Sequence, residues 1–165
     1  WDEHYLYIAL KVKDYVFARS EQASGESLFK GDSLEVLLTT DPGSRTQVLS
    51  SRDFQLGISP GNLAAPSPTP EAWLWLPQER AHRVTDVIVA ARLVTGGYNM
   101  EVAVPWSVFG LSPFAGEGLG FTLSLTDDDT PGTARQETLV SNTKGRDLAN
   151  PTTWGILVLD APVGP

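Results

Sequence analysis

The chain of 165 residues contains no cysteine, one methionine and only two histidines. Without cysteine there is no disulfide framework, no thiolate zinc site and no thiol nucleophile. His4 and His82 fall in neither an H-E-x-x-H nor any other metal spacing, and no G-x-S-x-G elbow is present, so no catalytic residue is assigned and no enzyme is expected. Basic residues are also scarce. Twelve Lys and Arg against 20 Asp and Glu leave a net charge of −8, and nucleic acid or an anionic membrane would need a basic face. No apolar run approaches the roughly 18 residues of a membrane-crossing helix, so membrane insertion is not expected either. Trp1 is preceded by no methionine or leader, which reads as a fragment or processed product.

Reversal residues are plentiful, with 15 Gly and 12 Pro, which favours many short strands over long helices. Period-2 alternation marks those strands. Leu6, Ile8, Leu10 and Val12 share one face of the first run, and Leu34, Val36 and Leu38 share one face of the second. Phe54, Leu56 and Ile58 repeat the pattern, as do Tyr98, Met100, Val102 and Val104, then Leu119, Phe121, Leu123 and Leu125. Thr85–Leu93 and Ile156–Leu159 complete the set. Asp41-Pro42-Gly43, Gly96-Gly97 and Asp128-Asp129-Thr130-Pro131-Gly132 read as turns, and the proline-rich stretch 59–70 as a surface loop. One helical turn is expected after Pro105. The fold class is therefore all-β: a two-sheet antiparallel sandwich, jelly-roll-like, of seven to nine strands over residues 1–160, with a tail at 161–165. Leu34, Val36, Phe54, Leu56, Met100, Val102, Phe121, Leu123 and Ile156 are the expected core.

Several segments resemble the family nine carbohydrate-binding modules, within the broader DOMON-like sandwiches. They are Trp1-Asp2-Glu3-His4-Tyr5-Leu6-Tyr7 running to Lys13-Asp14, Gly31-Asp32-Ser33-Leu34-Glu35-Val36, Gly97-Tyr98-Asn99-Met100-Glu101 running to Pro105-Trp106, Gly120-Phe121 with Asp127, and Trp154-Gly155-Ile156-Leu157-Val158-Leu159. Their order and spread over nearly the whole chain make the likeness specific. It implies a non-catalytic accessory module of an extracellular or cell-surface protein that binds a polysaccharide or glycan. It also implies an initial strand before the position of Trp1, either lost from this fragment or donated by the same precursor or a neighbouring subunit.

In the resembled modules two Trp rings sandwich a terminal sugar while a Glu and an Arg bind its hydroxyls. Here the first Trp position holds Phe29, the Glu is Glu35, and the Arg position falls on Gly57 beside Gln55. The second Trp position falls on Gly145 or on Leu148. The clamp is degraded, and the expected carbohydrate contacts are Phe29, Glu35 and Gln55. Trp73 and Trp75, two apart and so on one face of a strand, offer a substitute platform or else sheet packing. No cofactor is expected, although Asp127-Asp128-Asp129 has the clustered carboxylates that a structural calcium ion needs, and related modules carry such an ion. Two rival readings stay open: a purely structural sandwich in a surface or filament assembly, and a b-type haem domain using Met100 with Lys144 or a histidine.

Overall fold

A computed structural model describes residues 1–16, 23–130 and 133–161. Among these residues ten strands form two antiparallel sheets. They are β1 (Tyr5–Lys13), β2 (Ser33–Thr39), β3 (Asp53–Ser59), β4 (Glu71–Leu76), β5 (His82–Val84), β6 (Ile88–Val94), β7 (Gly97–Pro105), β8 (Gly118–Asp127), β9 (Thr138–Ser141) and β10 (Gly155–Val158). The smaller sheet runs β1-β7-β6; the larger runs β10-β8-β2-β3-β4-β5, with β9 also paired to β8. This is the all-β sandwich that the alternation implies. Strands β4, β5 and β9 add to those legible as alternations, and the Thr85–Leu93 run pairs only from Ile88.

Inward residues of the two sheets form one core. Leu34, Val36, Leu38, Phe54, Leu56 and Ile58 of the large sheet meet Leu6, Ile8, Met100, Val102 and Val104 of the small one. Trp106 is 1% exposed in a short 3-10 turn, Trp106–Phe109, that follows Pro105, and its indole donates to Asp2 O at 2.9 Å. Trp1 packs edge-on to that ring, with centroids 6.5 Å apart. Gly110 ends the turn at φ 65°, a conformation that glycine adopts without strain.

Three core assignments need correction. Phe121 and Leu123 face the core but are half-buried, since the small sheet is narrower than the large one. Ile156 is 64% exposed. It pairs with Gly120, whereas Leu157 pairs with Leu119, and residues directly opposite in an antiparallel ladder share a face. Leu119 is buried, so Leu157 points inward and Ile156 outward. An unbroken apolar run carries no parity of its own, which is why the sequence pattern could not choose.

The outer face of the large sheet is also not the solvated face its polar residues suggest. Ser33, Glu35, Leu37 and Thr39 of β2, Gln55 of β3, and Thr122, Ser124 and Thr126 of β8 are all buried. A 3-10 turn at Gly25–Lys30 packs against β4, β3, β2 and β8. The segment 142–154 is a second cover: Thr143 Oγ1 accepts from Thr122 Oγ1 at 3.0 Å, and Asn142 Oδ1 accepts from Leu123 N at 2.9 Å.

Candidate functional site

On that covered face lies a cavity of about 450 Å³, lined by Glu26, Phe29, Glu35, Gln55, Trp75, Gln136, Leu139, Arg146 and Leu148. Strand order fixes its layout. β2 and β3 lie centrally and carry Glu35 and Gln55; β4 with Trp75 flanks one side, and β9 with Leu139 flanks the other beyond β8.

Glu35 is 4% exposed and faces Arg146, whose Nη2 lies 3.3 Å from Glu35 Oε2. Burial pushes the Glu35 carboxyl above the usual range, and the Arg146 cation and a hydrogen bond with Gln55 oppose that push. Burying two charges is costly unless they pair and their remaining hydrogen-bonding capacity is met. Here it is only partly met. Arg146 Nε and Ser124 Oγ, the latter on the residue opposite Glu35 in the β2–β8 ladder, are buried without partners. Arg146 lines the cavity, and an unpaired buried donor there is what a ligand oxygen satisfies.

The segment that carries Arg146 is pinned at several points. Gly145 sits at φ 71°, Asp147 N donates to Thr153 Oγ1 at 2.8 Å, and the buried Trp154 donates through Nε1 to Asp147 O at 2.9 Å. Leu148 projects from the same segment into the cavity lining, whereas Gly145 does not line it. Of the two placements open for the lost second aromatic, Leu148 is the residue at the site.

On the β4 side, the Trp75 indole lies directly over Gly57. A Cβ on Gly57 would stand 2.2 Å from Trp75 Cη2 and 2.5 Å from its Cζ3. Trp75 Nε1 donates to Glu26 O at 2.9 Å, which ties the ring to the covering turn. Phe29 meets Trp75 edge to face, with centroids 6.0 Å apart and planes at 72°. Trp73 departs from this group. Its ring packs under Gly25, 3.7 Å from where a Cβ there would stand, and it does not line the cavity. So the structure brings Phe29, Glu35, Gln55 and Trp75 together and leaves Trp73 outside. Arg146, Leu139, Glu26 and Gln136 are the members that the sequence pattern had not placed, and Leu148 is one of the two positions that it had left open. A glycine in mid-strand was a usable signal for part of this, since it marks close approach of another group.

A second cluster lies elsewhere. Asp14, Asp32 and Asp127 bring one carboxylate oxygen each within 4.8 Å of one another, with Asp14 and Asp32 buried. Burial first, then the neighbouring carboxylates, pushes Asp32 up to about 7 despite a hydrogen bond from Asp128 N; burial and like charges push Asp127 up to about 6. Among the described residues no Lys or Arg pairs with them. This differs from the consecutive trio Asp127-Asp128-Asp129. Asp128 instead accepts from Thr130 N and Arg135 N of its own loop, and Asp129 is exposed. The Pro131-Gly132 end of that turn and residues 162–165 of the expected tail lie outside the described residues. Met100 is 1% exposed within the apolar core, whereas His4, His82 and Lys144 are on the surface, so none of them stands beside its sulfur.

Comparison with known proteins bears on the fold and the family. Two solved structures of a family 9 carbohydrate binding module from Caldicellulosiruptor kristjanssonii, one with cellotriose and one with glucose, superpose with TM-scores of 0.67 and 0.68. Each is 20% identical to this chain and matches it over its full length, while this chain spans 77% and 75% of theirs. They share its fold. No curated protein matches the chain. The model of the family described as carbohydrate family 9 binding domain-like matches residues 1–161, and the chain belongs to that family.

Proposed function

We propose that this chain is a non-catalytic carbohydrate-binding module of an extracellular protein, and that its sugar site is the cavity between Trp75 and Leu139. The observation that carries the reading is the convergence of two aromatic rings with a buried Glu35–Arg146 pair and Gln55 in one cavity. Sugars are held in this way: a ring stacks its C–H face on an aromatic while fixed polar groups take its hydroxyls. Membership of a family of binding domains and the sugar complexes of its structural neighbours point in the same direction.

Calorimetric titration of the chain with mono- and oligosaccharides tests this, together with quenching of Trp75 fluorescence and a reducing-sugar assay for turnover. Binding that Phe29→Ala and Trp75→Ala each weaken, with no hydrolysis, is the expected result. Unchanged affinity in both variants would overturn the site.

Two further elements belong to the same reading. Asp14, Asp32 and Asp127 fit a hard divalent cation such as calcium, because three clustered carboxylate oxygens with no basic partner among the described residues are the donor set that ion takes. The ion would supply positive charge that neutralises the cluster and ties the chain beyond β1 to β2 and β8. In addition, β1 pairs only with β7 among the described residues, and its outer edge accepts a strand donated by the same precursor or a neighbouring subunit. An open edge carries unpaired N–H and C=O groups that favour such addition. Sedimentation tests it: self-association at micromolar concentration supports the donated strand, and a stable monomer opposes it.

A further inference from the structure

Resting on the cavity assigned above, we infer that the sugar it takes is a neutral one bearing a methyl-terminated substituent, such as a 6-deoxy or acetylated hexose, rather than a fully hydroxylated one. The first reason is the contact between the rings. With centroids 6.0 Å apart at 72°, Phe29 and Trp75 touch each other and form a corner. A pyranose inserted between two parallel rings needs van der Waals contact of about 3.5–4 Å on each of its faces, so no sugar fits between these two. One face of the ligand is stacked, and its other side meets different residues.

Those residues are aliphatic. Leu139 of β9 and Leu148 of the pinned 145–154 segment line the cavity, and they remain 40% and 36% exposed. β9 and β4 lie on opposite flanks of the β2–β3 floor. Leucine offers neither a flat π-face for C–H stacking nor a hydrogen-bond partner. A hydroxyl turned toward Leu139 or Leu148 would give up water with nothing in exchange. A methyl group there would bury itself and the two exposed side chains together. The polar groups of the cavity are already fixed: Glu35 accepts, and Arg146, with its Nε unpartnered, donates. That pair reads the ring hydroxyls and the leucines receive the substituent.

Charge sets the remaining limit. Among the described residues Glu26 and Glu35 line the cavity with Arg146 as the one cation, so a sugar carboxylate meets net negative charge.

Matched pairs of ligands test the inference on the whole chain: 6-deoxyglucose against glucose, N-acetylglucosamine against glucose, and glucuronate as the anionic control. Tighter binding of at least one methyl-bearing sugar by about tenfold is expected, together with loss of that preference in Leu148→Ser and little or no binding of glucuronate. Glucose bound as tightly as both methyl-bearing sugars would overturn the inference and leave the sugar site standing. A preference that survives both Leu148→Ser and Leu139→Ser would also overturn it. No sugar bound, with Trp fluorescence unmoved, would overturn the site itself.

Discussion

Trp75 occupies the space that a side chain at Gly57 would need, 2.2 Å from the nearest ring atom to a Cβ there. The bare backbone at this point of β3 leaves room for an indole from β4. The guanidinium that faces Glu35, at 3.3 Å, comes from the 142–154 segment as Arg146.

Gly57→Ala should therefore displace Trp75. Overpacking a filled site costs about 1–3 kcal/mol, and denaturant unfolding should show a loss of that size along with weakened sugar binding. In a Trp75→Ala background the same substitution should cost much less. A double-mutant cycle measures the coupling, and additive effects would mean that the ring does not depend on the glycine.

The Glu35–Arg146 pair yields a second expectation. Its side chains are 5% and 10% exposed, and removing one partner of a buried pair costs about 3–5 kcal/mol because the other charge is left uncompensated. Arg146→Ala should destabilise the chain by that amount at neutral pH. The loss should shrink as pH falls through the carboxylate range and Glu35 takes up a proton. Adding Glu35→Gln to Arg146→Ala should recover most of the stability and none of the sugar affinity. Urea unfolding at several pH values checks both statements.

How much of this was legible follows from the range of the interactions. Alternation in β1, β2, β3, β7 and β8 gives the sandwich, because period 2 is a local property of adjacent residues. Glu35, Phe29 and Gln55 are found by their place in motifs. Burial of Glu35 is not, because its cover comes from the 23–30 turn and the 142–154 segment, which are brought to it only by the tertiary fold. The acidic cluster divides in the same way. Asp127 stands in a visible run of acids, but its partners Asp14 and Asp32 come from chain distant in sequence, and local clustering pointed to Asp128 and Asp129 instead.

The end of the chain supplies a third test. Leu159 is 1% exposed and its N–H donates to Glu117 O at 2.9 Å, whereas Ile156 is 64% exposed. Leu159→Ala should cost about 2–5 kcal/mol, and Ile156→Thr should stay within about 0.5 kcal/mol. Thermal or urea unfolding of the two variants checks the assignment, and equal losses would reverse the parity of β10.

The acidic cluster sets the last expectation. Asp32 and Asp127 are pushed up to about 7 and about 6 in the folded chain, from an ordinary value of 3.8. The folded state therefore holds these protons more tightly than the unfolded state. Below about pH 4 both states are protonated and the cluster has no effect. Between about pH 4 and 7 the unfolded chain ionises first, so stability falls as pH rises, and above about 7 the penalty is complete. In chelator, Asp32→Asn should remove much of that penalty and melt higher than the parent chain near pH 7.5, but not at pH 4. Calcium bound at the same carboxylates would neutralise them, so it should raise the melting temperature of the parent chain strongly at pH 7.5, weakly at pH 5, and little in Asp32→Asn. Such a rise reflects ligand binding to the folded state alone. Differential scanning calorimetry of both chains, with calcium and with chelator, separates the outcomes. A calcium response that is the same in Asp32→Asn would place the ion elsewhere, and a melting difference between the two metal-free chains that does not change with pH would remove the electrostatic account.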